Sequence, residues 1–166
     1  MISVIIPFYN KSKFIHRALT SCTSQNIKPD EIIIVDDFSE LEESKKLKSI
    51  IKKFKKLIKI NVFSLETNKG PSFCRNFGVK KSKGKIIFFL DADDSWALNK
   101  ISSHLEIYKD EIIDVVYDNQ FHSKNGKLHK IKFKIVNKNF SKELLGGWGS
   151  PNLSSLSIRK NIFINI

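Results

Sequence analysis

Asp91, Asp93 and Asp94 put three carboxylates within four residues, directly after the apolar run Ile86-Ile87-Phe88-Phe89-Leu90. Asp91 and Asp93 are two apart, so in an extended chain they leave on the same side. At roughly 5 Å and an effective dielectric near 20, each like-charge pair costs on the order of 3 kcal/mol. A cation cancels that cost. Hard oxygen ligands at the carboxyl end of a buried strand suit Mg²⁺ or Mn²⁺ carrying a diphosphate. The same residues also fit a solvated turn in which Asp94 and Ser95 cap the next helix. Two further polar clusters leave apolar runs in the same manner. Asp36-Asp37 follows Ile32-Ile33-Ile34-Val35, and Phe8-Tyr9-Asn10 follows Ile2-Ser3-Val4-Ile5-Ile6-Pro7.

The elements that must position these clusters follow from hydrophobic pattern. Apolar runs without alternation read as strands covered on both faces, as in a parallel sheet. Ile2 to Pro7, Glu31 to Val35 and the run before Asp91 are such strands, and Ile60 to Leu65 is a further strand between the last two. Helical spacing of Phe14, Ile15, Ala18, Leu19 and Cys22 predicts a helix capped by Asn10 or Ser12. Ser39 and Glu42 form a capping-box pattern. The helix it opens buries Leu47, Ile50, Ile51, Phe54, Leu57 and Ile58, and presents a lysine-rich solvated face. After Asn68-Lys69-Gly70-Pro71, a short helix from Ser72 to Lys81 packs through Phe73 and Phe77. Four strands with three intervening helices predict a right-handed βαβ sheet, whose ligands bind beyond the carboxyl ends of its strands. All three polar clusters fall at those ends.

Beyond Trp96 the pattern predicts a helix from Leu98 to Tyr108, with Ile101, Leu105 and Tyr108 inward. A strand from Asp114 to Phe121 follows, then a hairpin turn at Asn125-Gly126 and a half-exposed return strand from Lys130 to Val136. A helical turn over 140–145, a Gly-rich loop around Trp148 and a strand from Leu153 to Ile158 complete the chain.

The 166 residues carry a net charge of +12 and a 41% apolar fraction, enough for one domain with a core that thirteen Phe make aromatic. No stretch approaches the eighteen or so apolar residues of a membrane span, and the first residues read as a core strand, not a signal peptide. Two cysteines, Cys22 and Cys74, make no disulfide framework, and the expected compartment is the cytoplasm. The positive charge is mostly Lys spread over helix faces and loops, with three Arg. Nucleic-acid modules bring Arg and aromatic residues together on one surface, so no nucleic-acid partner is expected. A diffuse lysine excess also fits peripheral attraction to an anionic membrane surface, here the inner face of the membrane.

From Ile2 to about Phe163 the sequence resembles the family-two inverting glycosyltransferases of the GT-A fold. The resemblance rests on Val4-Ile5-Ile6-Pro7-Phe8-Tyr9-Asn10, Ile33-Ile34-Val35-Asp36-Asp37-Phe38-Ser39, Asn68-Lys69-Gly70-Pro71-Ser72-Phe73-Cys74-Arg75-Asn76-Phe77-Gly78 and Phe89-Leu90-Asp91-Ala92-Asp93-Asp94, in that order. It implies a mostly parallel, Rossmann-like α/β sheet flanked by helices, with an antiparallel hairpin in its C-terminal part. The chain would be a single domain over 1–166, with a nucleotide-sugar half (1–95) and a partial acceptor half (96–166).

The resemblance also implies roles. Pro7 and Tyr9 would line the nucleotide base, Tyr9 offering a flat face. Asp37, with Asp36 beside it, would accept a hydrogen bond from base or ribose. Arg75 would reach the base or diphosphate, or instead pair with a neighbouring acid. Asp91 would contact the ribose, and Asp93, helped by Asp94, would ligate Mn²⁺ or Mg²⁺ on the diphosphate. The implied reaction moves a sugar, from UDP by expectation, to a hydroxyl of a glycan or lipid-linked acceptor with inversion. The implied setting is surface polysaccharide, lipooligosaccharide or glycoconjugate synthesis.

Inversion needs a general base. In the family that base is an acid beyond the strand matching Leu153 to Ile158. Here Glu143 is the last acid, so the chain is expected to be truncated at its C-terminus. Asp118 is the remaining weak candidate. A nucleotide-sugar-binding chain without transfer is the alternative. A phosphoacceptor receiver would need a lone Asp after a middle strand and a Lys after a late one. A nucleotidyltransferase would show a Gly-rich basic loop after the first strand, and a dinucleotide fold a G-x-G-x-x-G.

Overall fold

The computed structural model describes residues 1–124, 127–131 and 152–164. Four parallel strands form the centre of the main sheet: β1 (Ile2–Phe8), β2 (Glu31–Asp36), β3 (Lys59–Ser64) and β4 (Ile86–Phe89). β5 (Val115–Tyr117) and β8 (Leu156–Arg159) extend it, with β8 antiparallel to both β4 and β5, giving the order β3-β2-β1-β4-β8-β5. β6 (Gln120–Lys124) and β7 (Lys127–Ile131) form a separate antiparallel hairpin. Successive strands run outward from β1 to β2 and β3, then return to its other side at β4. That reversal opens a crevice beside the carboxyl end of β1.

β1, β2 and β4 are covered on both faces, which is why they carry apolar runs instead of alternation, while the edge strand β3 is only half-buried. On one face Val4, Ile6 and Phe8 pack with Ile32, Ile34 and Phe88. Helices α1 (Ser12–Thr23), α2 (Leu41–Phe54) and α4 (Lys100–Ile107) close that face through Ile15, Leu19, Leu47, Ile51 and Ile101. On the other face Ile5, Ile33, Val35, Ile87 and Phe89 meet α3 (Gly70–Lys81) and α5 (Lys160–Ile164). α3 lies so close to β1 that a Cβ on Gly78 would stand 2.5 Å from Ile5 Cγ2. No helix among the described residues is long and apolar enough to cross a membrane.

Several local expectations give way to tertiary contacts. α1 begins after Lys11 with no side-chain cap of its own. Instead Ser12 N donates to Glu43 Oε2 at 2.9 Å, so an acid of α2 caps α1. That backbone hydrogen bond holds the Glu43 carboxyl below its usual range. The Ser39–Glu42 capping box does not form: α2 starts at Leu41, and Ser39 Oγ accepts from Asn10 N at 3.0 Å. Asn10 Oδ1 in turn accepts from Glu40 N at 2.9 Å. The loops leaving β1 and β2 thus satisfy one another, a pairing that no local motif encodes. Asn10 and Phe38 take left-handed backbone, φ 50° and 62°, in these two loops. For a bulky Phe that conformation costs on the order of 1–3 kcal/mol.

α3 packs through Cys74, Gly78 and Val79, while Phe73 stays 39% exposed and Phe77 is only partly buried. Leu57, expected inside, is exposed beyond the end of α2. The strand expected from Asp114 to Phe121 is two strands, broken at Asp118 and Asn119. The one expected from Leu153 to Ile158 opens with a 3-10 turn, Leu153–Ser155. The turn at Asn125-Gly126, the return strand past Ile131, the helical turn over 140–145 with Glu143, and the Trp148 loop lie outside the described residues.

Candidate functional site

A cavity of about 400 Å³ sits where the carboxyl ends of β1, β2 and β4 meet the first turns of α3. Pockets of this size suit a drug-sized or cofactor-sized ligand. Pro7, Tyr9, Asp37, Arg75, Asp91 and Asp93 all line it, from four separate stretches of chain. Lys11, Asn68 and Cys74 line it too, none of them among the site residues expected from the sequence. Asp36, Asp94 and Asp118 are not among its lining residues.

Pro7 is the next-to-last residue of β1, which ends at Phe8, and Tyr9, just beyond, is half exposed. Asp36 faces away from the cavity into its own loop. Its two oxygens accept from Ser39 N at 3.1 Å and Ser44 Oγ at 2.6 Å, tying the start of α2 to the end of β2. Asp37 does corresponding work for α3: one oxygen accepts from Lys69 N at 2.7 Å and the other from Gly70 N at 2.8 Å. A carboxylate satisfies orphan N–H groups at a helix start and suits the positive end of the helix dipole. The Lys69 and Gly70 amides at the start of α3 are therefore already engaged, and the cationic groups lining this cavity are the side chains of Lys11 and Arg75. Gly70 holds φ 82°, which lets the chain turn under Asp37 into the helix.

Arg75 reaches across the cavity to Asp91, Nη2 to Oδ1 at 2.5 Å. Its Nε is buried without a hydrogen-bond partner among the described residues. The alternative raised from sequence, that Arg75 pairs with a neighbouring acid, is what the side chain does here. Asp91 is further fixed from its backbone, its N donating to Ser154 Oγ at 3.0 Å. Lys11 Nζ lies 2.8 Å from Asp93 Oδ2, and this hydrogen bond is the main reason the Asp93 carboxyl sits below its usual range. Arg17 donates to the Asp93 main-chain oxygen. Asp94 accepts from Asn152 Nδ2 at 3.3 Å. It does not cap α4, whose N-cap position is Asn99. Burial, with the nearby Asp37 charge adding to it, pushes the Cys74 thiol up to about 12. Such a thiol is a packing residue, not a nucleophile.

Asp118 belongs to a second polar cluster. Its Oδ2 takes Lys100 Nζ at 2.8 Å and His104 Nε2 at 3.3 Å. Lys100 also donates to Ser155 O, and His104 Nδ1 meets Ser157 Oγ at 2.7 Å. Tyr108 OH lies 3.1 Å from the same Ser157 hydroxyl. Burial lowers Lys100 to about 8 against the pull of Asp118, and burial likewise lowers His104. Burial works to raise Asp118, but hydrogen bonds from His104 and the charge of Lys100 outweigh it and bring the carboxyl down. An acid held ionised by a buried lysine is a poor proton acceptor. Lys100, His104 and Tyr108 recur every four residues, so a polar stripe on one helix face was the available signal. The hydrophobic pattern of Ile101, Leu105 and Tyr108 includes Tyr108 but leaves Lys100 and His104 out.

The acidic loop offers hard oxygen ligands, but each carboxylate already has a partner of its own. Among the described residues no group of three or more His, Cys, Asp and Glu is arranged to hold an ion.

Comparison with known proteins agrees with this architecture. The Escherichia coli protein WfaP, named as a UDP-Glc:alpha-D-GlcNAc-diphosphoundecaprenol beta-1,3-glucosyltransferase, is 34% identical over 127 residues, 75% of this chain and 48% of its own length. The structure of S. aureus TarS 1-349 in complex with UDP-GlcNAc superposes with a TM-score of 0.74 at 23% identity, covering 99% of this chain and 46% of that one. The mannosyltransferase PcManGT from Pyrobaculum calidifontis, in complex with GDP-Man and Mn²⁺, gives 0.64 at 21% identity over 70% of this chain and 34% of its own. The chain spans less than half the length of the curated relatives it matches. Residues 3–157 match the profile of glycosyl transferase family 2, and with a mostly parallel GT-A sheet beneath that match the chain belongs to this family.

Proposed function

We propose that this chain forms the donor side of a glycosyltransferase and binds a nucleoside diphosphate sugar, a uridine one first, along the carboxyl ends of β1, β2 and β4. The observation that carries the reading is the convergence of Tyr9, Asp37, Arg75, Asp91 and Asp93 on one cavity at the switch point of the sheet. Pro7 and Tyr9 would bound the base. Asp37 keeps unused lone pairs while it caps α3, and these would accept from base or ribose. Asp91, once released by Arg75, would meet the ribose, and Arg75 would turn to the base or diphosphate. Asp93, with Asp94 beside it, would hold Mn²⁺ or Mg²⁺. The ion supplies charge stabilisation for a departing diphosphate. Uridine is supported by TarS with UDP-GlcNAc and by the name of WfaP, while PcManGT carries a guanosine donor.

The sugar would pass with inversion to a hydroxyl of a glycan or lipid-linked acceptor, in surface polysaccharide or glycoconjugate synthesis. One observation favours a second reading, donor binding without transfer. Among the described residues no carboxylate beyond Asp93 lines the cavity, and Asp118 is committed to Lys100 and His104. The lysine-rich exterior would hold the chain at the cytoplasmic face of a membrane. Loss of sedimentation with anionic vesicles at low salt would remove that placement. A thermal-shift panel of nucleoside diphosphates and their sugars, with and without Mn²⁺, tests the donor reading. UDP with Mn²⁺ should raise the melting temperature most. A flat response to every nucleotide contradicts the proposal.

A further inference from the structure

The three carboxylates of the acidic loop differ in how firmly they are held. Asp91 pairs with Arg75, whose side chain is only 11% exposed and packed into the cavity wall. Asp94 accepts from a neutral amide, Asn152. Asp93 is held by an ammonium that stands half in solvent: the Lys11 and Asp93 side chains are 45% and 42% exposed. Arg17 secures the main chain at Asp93 independently, so the loop does not need Lys11 to keep its place.

The backbone of Lys11 is fixed while its side chain is not. Its carbonyl accepts from Phe14 N at 2.9 Å and Ile15 N at 3.2 Å, the first hydrogen bonds of α1. Its Nζ rests 5.6 Å from the Phe14 ring centroid, a shelf along which an ammonium can move. Lys11 and Asp93 both line the cavity. A flexible four-carbon stem carrying a compact charge suits a group with two alternative anions in reach.

We propose that Lys11 is a mobile counter-charge: it neutralises Asp93 while the cavity lacks nucleotide, and it moves to the diphosphate when a divalent cation takes the Asp93 carboxylate. The inference rests on the preceding reading of Asp93 as a metal ligand. An ammonium and a divalent ion drawn to one carboxylate repel each other, so one must leave. The displaced ammonium is then next to a diphosphate, a better anion than the carboxylate it left. Lys11 would therefore act against metal binding alone and in favour of nucleotide binding.

Those opposite signs make the test. Lys11→Met and Lys11→Gln are measured against the unaltered chain in two titrations. The first follows free Mn²⁺ by electron paramagnetic resonance without nucleotide. The second follows UDP by calorimetry at saturating Mn²⁺. An ion pair this exposed is weak, so freeing Asp93 should tighten Mn²⁺ binding by about two- to fivefold. Loss of the diphosphate contact should weaken UDP by roughly tenfold. A plain surface ion pair would leave UDP affinity within twofold, and that result overturns the proposal. So does Mn²⁺ binding that is unchanged or weaker in both variants. Mn²⁺-dependent UDP binding that disappears in Asp93→Ala keeps the donor reading standing whatever the Lys11 variants do. Its absence in the unaltered chain removes both.

Discussion

Asp37→Asn separates what a carboxylate does for the fold from what it does for a ligand. In the native chain each Asp37 oxygen accepts one backbone N–H, from Lys69 at 2.7 Å and Gly70 at 2.8 Å. Asparagine keeps one acceptor and turns an NH₂ toward the other N–H, so one charge-assisted hydrogen bond is lost. Such a bond is worth about 1.5–3 kcal/mol, and removing the negative charge from the start of α3 adds about 0.3–1 kcal/mol. The expected loss of stability is thus about 2–4 kcal/mol. For a chain of this size each kcal/mol moves the melting temperature by roughly 2–4 °C, so the midpoint should fall by about 4–16 °C. Thermal and urea unfolding followed by circular dichroism measure it, and calorimetry at a temperature where both proteins are folded gives UDP affinity. Asp36→Asn is the control, since its partners Ser39 and Ser44 also tie a helix start but it does not line the cavity. It should lose stability and keep UDP affinity, whereas Asp37→Asn should lose both. A midpoint for Asp37→Asn within 2 °C of the native chain would refute the capping role.

Three more outcomes follow from the packing and the buried charges. Lys100 has a folded pKa of about 8 against 10.5 for the free side chain, so the unfolded chain holds this proton more tightly. The penalty is fully present below pH 8 and is relieved as pH rises towards 10.5, by up to about 3 kcal/mol. Urea unfolding at pH 7 and pH 10 should therefore show the native chain gaining on Lys100→Met, and an equal or reversed trend contradicts it. Gly78→Ala drives a Cβ to 2.5 Å from Ile5 Cγ2, and overpacking of about 1–3 kcal/mol should outweigh the roughly 1 kcal/mol gained in helix propensity. A more stable variant would mean that α3 and β1 are farther apart. Cys22 and Cys74 are fully buried with thiols pushed up by burial, so a chromogenic disulfide should label neither until the chain unfolds. Rapid labelling of the folded chain counts against the packed wall that Cys74 contributes to the cavity.

The parallel sheet was legible because a strand covered on both faces leaves an apolar run without alternation, as at Ile32–Val35 and Ile86–Phe89. The edge that carries the site was legible for the same reason, since each such run ended abruptly in polar residues. What stayed hidden were partnerships across long sequence separations. Glu43 caps α1 from α2, and Asn10 and Ser39 serve each other's loops, so the local capping motifs misled. Asp37 was expected at the nucleotide with Asp36 beside it, yet the end of β2 commits Asp36 to α2 while Asp37, one residue on, serves α3. Asp118 read as part of a continuous strand because nothing local reveals that Lys100 and His104 wait beneath it. Lys11 was one lysine among many until the fold set it against Asp93, 82 residues away.

The central claim is that the cavity at the strand ends binds a nucleoside diphosphate through a metal on Asp93. Titration calorimetry of UDP against the folded chain, with Mn²⁺ and then with chelator, repeated on Asp93→Ala, addresses it directly. The account predicts heat of binding for the native chain with Mn²⁺, at least tenfold weaker binding with chelator, and a comparable loss in Asp93→Ala. Equal binding by both proteins with Mn²⁺, native binding that chelator leaves unchanged, or no binding by the native chain, would contradict it.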